Sequence, residues 1–243
     1  AYEAGVLPGD ILFAVDGEEF GDRMEDAVAK IKNGAEGTTV NITFIRDGER
    51  IETTIERRRV SSESVKSEML DNNIGYLRIS AFNTADEGSD QDTFTEFTDH
   101  YEQLVSQGME KLIVDLRSNP GGNLDTVCDI LDLMLPEGLI VYTEDKNGER
   151  EEYTSDEEHQ FDKPLVVMMN GYSASASEIF AGAIQDYGLG QIVGTQSYGK
   201  GVVQSIFDLQ DGTSVKLTIA EYFTPNGRSI DGEGITPDVD VEY

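Results

Sequence analysis

Histidine, cysteine and positive charge are all scarce in this 243-residue chain, and each shortage closes off a class of chemistry. Only two histidines are present, His100 and His159. A Ser-His-Asp hydrolase needs a histidine within hydrogen-bond reach of its serine. His100, however, follows Asp99 in a stretch of helical pattern, and His159 sits in an acidic loop among Glu157, Glu158 and Gln160. Neither position suits a catalytic base, and the count alone disfavours a histidine-rich metal centre. Cys128 is the single cysteine, which excludes an intrachain disulfide and argues against a cysteine-ligated metal. Its neighbours Val127, Ile130 and Leu131 mark it as a small buried hydrophobe rather than a reactive thiol.

Lysine and arginine total 18 against 48 aspartates and glutamates, a formal net charge of -30. A chain so charged repels a phosphate backbone wherever it lacks a concentrated basic face, and Arg57, Arg58 and Arg59 are too short and too isolated a run to make one. No nucleic-acid partner is expected, and an anionic membrane surface is equally unattractive. No apolar run approaches the roughly 20 residues a membrane helix needs. The N-terminus has neither the basic nor the apolar segment of a signal peptide. Because Ala1 falls in what reads as the middle of a domain, an export signal or anchor belonging to a longer chain stays open.

A hydrophobic content of 38% with 27% charged residues is that of a soluble globular protein, with material for two domains. The first sixty residues read as strand, helix, hairpin. Ile11–Val15 is a short apolar strand ended by Asp16-Gly17, and Asp22 begins a helix with Ala27, Val28 and Ile31 on one apolar face. Val40, Ile42 and Phe44 then alternate, followed by Asp47-Gly48 and a strand over 51–55, a hairpin signal. The segment 60–66 is rich in serine and charge, which sets a boundary between domains at 1–60 and 61–243.

Beyond it, strands at Ile74–Ile79, 111–116 and 164–169 alternate with helices near 93–107, 124–135 and 177–187. Continuous runs such as Leu112-Ile113-Val114 suit strands covered on both faces, as in a parallel or mixed sheet flanked by helices. A hairpin over 139–143 and 150–153 turns at Lys146-Asn147-Gly148, 155–160 reads as a solvated loop, and strands at 202–209 and 213–222 join at Asp211-Gly212.

Three segments carry candidate chemistry. In Asn170-Gly171-Tyr172-Ser173-Ala174-Ser175-Ala176-Ser177-Glu178, an apolar strand passes into a helix, small residues surround Ser175, and the free N–H groups of a first helical turn can hold a developing oxyanion. Ser175 with Glu178 three residues on is also a capping box, so the segment alone allows a nucleophile or a cap. Lys200 stands between Gly199 and Gly201 just before a strand, where glycine lets the backbone deliver an amine into a crowded site. A lysine takes a proton from serine only when neutral, so desolvation or nearby positive charge must favour that form; without the serine segment, Lys200 reads as a surface charge in a turn. Asp115-Leu116-Arg117-Ser118-Asn119-Pro120-Gly121-Gly122 ends a strand in a tight turn with exposed amides, either a connection or an oxyanion donor.

Together these segments closely resemble the carboxyl-terminal processing peptidases, or tail-specific proteases, over nearly the whole chain. The resemblance implies Ser175 as nucleophile, Lys200 as general base, Gln204 as the residue that orients the lysine, and the amides of Gly121 and Ala176 as the oxyanion hole. Thr224-Pro225-Asn226-Gly227 with Ile230, and Gly234-Ile235-Thr236-Pro237-Asp238, are supporting matches. It further implies an α/β fold with a mixed-sheet ClpP/crotonase-like core, no metal or organic cofactor, and unfolded or tagged proteins and peptides as substrates. Location would be extracytoplasmic (periplasmic, cell-surface or secreted), with a membrane anchor in a full-length protein and a homo-oligomer both compatible.

Ala4-Gly5-Val6-Leu7-Pro8-Gly9-Asp10 and residues 11–17 resemble the PDZ domain of the same family, without the strand and carboxylate-binding loop that precede them there, so an N-terminally truncated PDZ is expected. Two other readings share these residues: a peptide-binding adaptor with an inactive protease-like domain, and a relative of the acyl-CoA hydratases with glycine-rich oxyanion loops.

Overall fold

A computed structural model describes residues 1–21, 23–58, 63–85, 91–209 and 212–242. Asp22 at the expected helix start, Arg59 of the basic triplet, Val60 and Ser61 at the expected domain boundary, and Asp211 of the last expected turn lie outside them. The chain divides into two compact units, residues 1–62 and 63–243.

The first unit is a four-stranded sheet, ordered β2-β1-β3-β4, with one helix: β1 Ile11–Val15, β2 Glu18–Glu19, α1 Met24–Lys32, β3 Thr39–Arg46 and β4 Glu49–Glu56. Its small core holds Val15, Phe20, Ala27, Val40, Ile42 and Phe44. With so little apolar mass, polar staples matter. Arg46 makes a paired hydrogen bond to Asp10 through Nε and Nη2 at 2.8 and 2.7 Å. Arg57 caps the carboxyl end of α1, donating from Nε to the Ile31 carbonyl and from Nη2 to that of Lys30 at 2.8 and 3.0 Å. Of the apolar face expected on α1, Ala27 is buried and Ile31 half-buried, but Val28 is exposed, because the small sheet covers only one side of a helix this short.

The second unit contains β5 Val65–Leu70, β6 Ile74–Ile79, α2 Thr93–Ser106, β7 Lys111–Asp115, α3 Leu124–Asp132, β8 Gly138–Asp145, β9 Arg150–Ser155, β10 Leu165–Met169, α4 Ala176–Asp186, β11 Gln191–Gly194, β12 Val202–Asp208, β13 Ser214–Phe223 and β14 Val239–Asp240. Six strands form a mixed sheet in the order β14-β11-β10-β7-β6-β5, parallel throughout except for β5 against β6. Side-chain caps start two of the helices: Asp92 accepts the Thr95 N–H and Asn123 that of Thr126, both at 2.8 Å, each contributing about 1 kcal/mol.

From β6 through β7 and β10 to β11, each crossover steps one strand in the same direction. Right-handed crossovers of that kind put every connecting helix on one face of the sheet. Leu112, Val114, Val167 and Met169 on that face are buried, whereas Ile113, Val166 and Met168 on the other are only half-buried. Cover on both faces was expected from the unbroken apolar runs; one face carries the helices. A second, antiparallel sheet, β12-β13-β8-β9, meets α3 and α4 from the other side, closing the core around Phe180, Ile130, Leu131, Leu135 and Val141. Among the described residues no helix is long and apolar enough to cross a membrane.

Candidate active site

Side chains that do chemistry in an open α/β sheet gather beyond the carboxyl ends of its parallel strands. Here the loops after β7, β10 and β11 meet at that edge. The parallel register of β10 with β11 runs from Val166 opposite Gln191 to Met169 opposite Gly194, an offset of 25 residues (191 − 166 and 194 − 169). Beyond the sheet the two loops stay joined: the Thr195 N–H donates to the Met169 carbonyl at 3.3 Å, and the Tyr198 N–H donates to the Ser173 carbonyl at 3.0 Å, one residue out of step with the strand register. The loops bring Ser175 and Lys200 (200 − 175 = 25) to one oxygen, Oε2 of Glu178, which accepts both of their N–H groups at 2.8 and 2.9 Å. The two candidate residues are thus joined by a shared acceptor at the ends of two loops that leave neighbouring parallel strands.

Glu178 is the hub of this arrangement. It lies fully buried in the first turn of α4, and its Oε1 accepts the Ser197 hydroxyl at 2.5 Å and the Gly199 N–H at 2.6 Å. Four donors from two loops therefore converge on one carboxylate, which a buried charge requires if it is not to destabilise the fold. Ser175 caps α4 with φ 56° and ψ -117°, a conformation that costs a residue with a Cβ about 1–3 kcal/mol. That strain is held by the turn's other ties. Ser173, also fully buried, donates its hydroxyl to the Leu116 carbonyl at 2.8 Å, and the Ala174 N–H donates to the Asn119 carbonyl at 3.0 Å.

The loop after β7 presses directly on this turn. A Cβ on Gly121 would lie 2.6 Å from the Ala174 carbonyl oxygen, 2.8 Å from the Ser175 Cβ and 2.9 Å from the Ala176 nitrogen, so only glycine fits there, at a φ of 99°. The Ala176 N–H finds no acceptor among the described residues, whereas the Gly121 N–H donates to Asn119 Oδ1 at 2.8 Å. Asn119 is fully buried and braces the loop, its Nδ2 donating to the Ile79 carbonyl at 3.0 Å and its own carbonyl accepting the Ser177 hydroxyl at 3.0 Å.

Below the loop, Asp115 accepts from Arg117 Nε and Nη2 at 2.9 and 2.7 Å and from the Tyr76 hydroxyl at 2.6 Å. Burial pushes the Asp115 carboxyl up, but the hydrogen bonds from Arg117 and Tyr76 outweigh it and hold the group below the ordinary value of 3.8.

Lys200 is half-buried and, among the described residues, its amine makes neither an ion pair nor a hydrogen bond, to Ser175 or to any other group. Gln204 is exposed on β12 and its amide reaches Thr218 Oγ1 at 3.5 Å rather than Lys200. The structure therefore brings Ser175, Ala176, Gly121 and the Lys200 backbone together and leaves the Gln204 side chain outside the cluster. His100 bonds Ser67 through Nδ1 at 2.7 Å and His159 is exposed. The Cys128 thiol is buried, and burial, with Asp129 and Asp125 nearby, pushes it up to about 12. Sequence reasoning passed over the bridging role of Glu178, for which Ser-x-x-Glu signalled only a cap, and the bracing role of Asn119, for which nothing in the sequence stood out.

A family model for Peptidase family S41 matches residues 73–241, and one for the PDZ domain matches residues 1–46. The carboxyl-terminal-processing protease of Synechocystis sp. is 38% identical over the whole of this chain and 56% of its own length. The carboxy-terminal processing protease CtpA of Bacillus subtilis is 36% identical over the whole chain and 51% of its length. The solved photosystem II D1 C-terminal processing protease is 28% identical with a TM-score of 0.67, covering 99% of this chain and 65% of that one. The chain spans about half the length of the curated relatives it matches. A strained serine and a lysine seated on one buried carboxylate are thus found in a chain that belongs to Peptidase family S41.

Proposed function

We propose that this chain is the catalytic part of a serine endopeptidase that cuts proteins near their C-termini through an acyl-enzyme on Ser175, with Lys200 as general base. The observation that carries this reading is the shared acceptor Glu178 Oε2, which pins the backbones of Ser175 and Lys200 to a single point. In the reaction the neutral Lys200 amine takes the Ser175 proton and the hydroxyl oxygen attacks the scissile carbonyl. The Ala176 N–H, which has no other acceptor among the described residues, meets the oxyanion together with the Gly121 N–H once Asn119 Oδ1 releases it. The lysine ammonium then protonates the leaving amine, and a water activated by the same amine hydrolyses the ester.

Gln204 orients the lysine in this reading, which requires its amide to exchange Thr218 for the Lys200 amine. Residues 1–60 form part of a PDZ domain and 61–243 the protease domain, a division supported by the two compact units. Protein substrates cut near their C-termini are suggested by relatives named for C-terminal processing, and the family resemblance adds that these are partly unfolded or tagged proteins met outside the cytoplasm. The direct test is a fluorophosphonate probe followed by peptide mapping. Adduct on Ser175 that is lost in Lys200→Ala supports the assignment; adduct on another serine refutes it.

A further inference from the structure

Tyrosine is treated in two ways in the unit that begins at Glu63. Tyr76, Tyr101, Tyr142, Tyr153, Tyr187 and Tyr222 are buried or half-buried, as an aromatic ring in water would lead one to expect. Tyr172 and Tyr198 are 75% and 66% exposed. Neither hydroxyl has a hydrogen-bond partner among the described residues, so no polar tie explains why these rings stand in solvent.

Their positions single them out further. Tyr172 is three residues before Ser175 and Tyr198 two before Lys200, so each of the two loops that carry the candidate dyad displays one ring. The loops lie side by side, joined by the Tyr198 N–H to the Ser173 carbonyl at 3.0 Å. At that contact the exposed Tyr198 adjoins the buried Ser173, and Ser197, next to Tyr198 in the chain, is buried too. Glycine and small residues flank both rings, at Gly171, Ser173 and Ala174 on one side and Gly199 and Gly201 on the other, which leaves the rings as the exposed apolar bulk of the two loop segments. Exposed aromatic side chains of this kind offer large apolar area at low conformational cost.

We propose that Tyr172 and Tyr198 are specificity-determining residues that receive an apolar side chain of the substrate next to the scissile bond. The assignment rests on Ser175 being the nucleophile. Charge works in the same direction, since a chain with a net charge of -30 repels an acidic residue at that position.

The test uses two peptidyl phosphonate probes that differ only in carrying leucine or aspartate next to phosphorus, with the rate of Ser175 labelling read by mass spectrometry. In the unaltered chain the leucine probe reacts faster. In the double variant Tyr172→Ser/Tyr198→Ser the leucine-to-aspartate rate ratio falls about tenfold, the scale of losing one apolar contact in a binding pocket. In Tyr172→Phe/Tyr198→Phe the ratio is retained, because the ring and not the hydroxyl does the recognising. A double serine variant with an unchanged ratio, its fold verified by circular dichroism, overturns the proposal and leaves the nucleophile intact. Absence of Ser175 labelling by both probes in the unaltered chain overturns the nucleophile reading and takes the tyrosine assignment with it.

Discussion

The two halves of the candidate dyad are held by opposite means. On the serine side every residue from Ala176 to Ile184 is buried, and the turn before it is braced by Ser173 and Asn119. On the lysine side β12 is half-buried at best, and β13 pairs with β8 only over Ala220–Phe223. The outer part of the β12–β13 hairpin is therefore a two-stranded ribbon, marginal on its own, with Ile206 67% and Leu217 49% exposed. What positions the lysine loop is polar: Glu178 on one side, and on the other the C-terminal loop, where the Gly232 N–H donates to the Gly199 carbonyl at 2.9 Å and the Ile235 N–H to Ser197 Oγ at 2.6 Å. Core packing builds the turn of the candidate serine, while hydrogen bonds steer the candidate lysine.

The largest effect comes from deleting either partner. Ser175→Ala and Lys200→Ala should each lower turnover of an unfolded protein substrate by at least about a thousandfold, with the melting temperature little changed, since neither side chain carries the core. Lys200→Arg should be as inactive, because a guanidinium stays protonated and cannot take the serine proton. A base that must first lose a proton makes the rate rise with pH into the alkaline range. An acidic limb that vanished in His100→Ala or His159→Ala would identify a different base.

Glu178→Gln attacks the joint between the halves directly. The amide keeps the shape of the carboxylate but replaces one of its acceptor oxygens with a donor, so N–H groups of the two loops are left facing it. At about 1–3 kcal/mol for each unsatisfied buried group, kcat should fall about a hundredfold and the melting temperature with it. Steady-state turnover of a peptide substrate and thermal unfolding, measured together, check this. If kcat is unaffected, the shared carboxylate does not set the register.

Much of this was legible in the sequence, and unevenly so. β1, β6 and β10 begin or end where apolar runs meet turn residues, and the α2 and α4 helices follow their periodicity closely. The β5 strand was passed over because the serine- and charge-rich run from Ser61 to Lys66 hides its start, although its pairing with β6 is a local hairpin that turns at Asp71–Asn73. The spacing of Ser175 and Lys200 was visible, but the bond that joins them, through Glu178, exists only once β10 and β11 pair and bring their loops together. Asn119 works through its backbone carbonyl and a fully buried amide, and no residue type announces that in advance.

Asp115→Asn probes the rigid half without touching reacting atoms. Asp115 is 1% exposed and neutralises Arg117; removing the charge from such a pair costs about 3 kcal/mol. The pH dependence follows from the sign of the shift. The folded carboxyl lies below the ordinary value of 3.8, so its contribution to stability is present above that value and is lost as the pH falls through the folded pKa. Urea unfolding at pH 7 and at pH 3 should show the difference between the parent chain and Asp115→Asn shrinking at the lower pH; a constant difference would mean that Asp115 stabilises by packing alone.

The smallest effect tests the loose half. Gln204 Nε2 meets Thr218 Oγ1 at 3.5 Å, a long contact at the outer limit of a hydrogen bond, and both residues are exposed. If the amide leaves Thr218 to orient the Lys200 amine during turnover, the two acceptors compete for one donor. Gln204→Ala should then lower kcat about tenfold with little change in KM, the size of one lost neutral hydrogen bond. Thr218→Val, which removes the competing acceptor while keeping the shape of a β-branched strand residue, should leave kcat equal or up to about threefold higher. Steady-state kinetics on one peptide substrate decide the matter. A fall in kcat in Thr218→Val as large as that in Gln204→Ala would show that the pair acts as a strut for the hairpin, with the lysine held by its backbone bond to Glu178 and by nothing on β12.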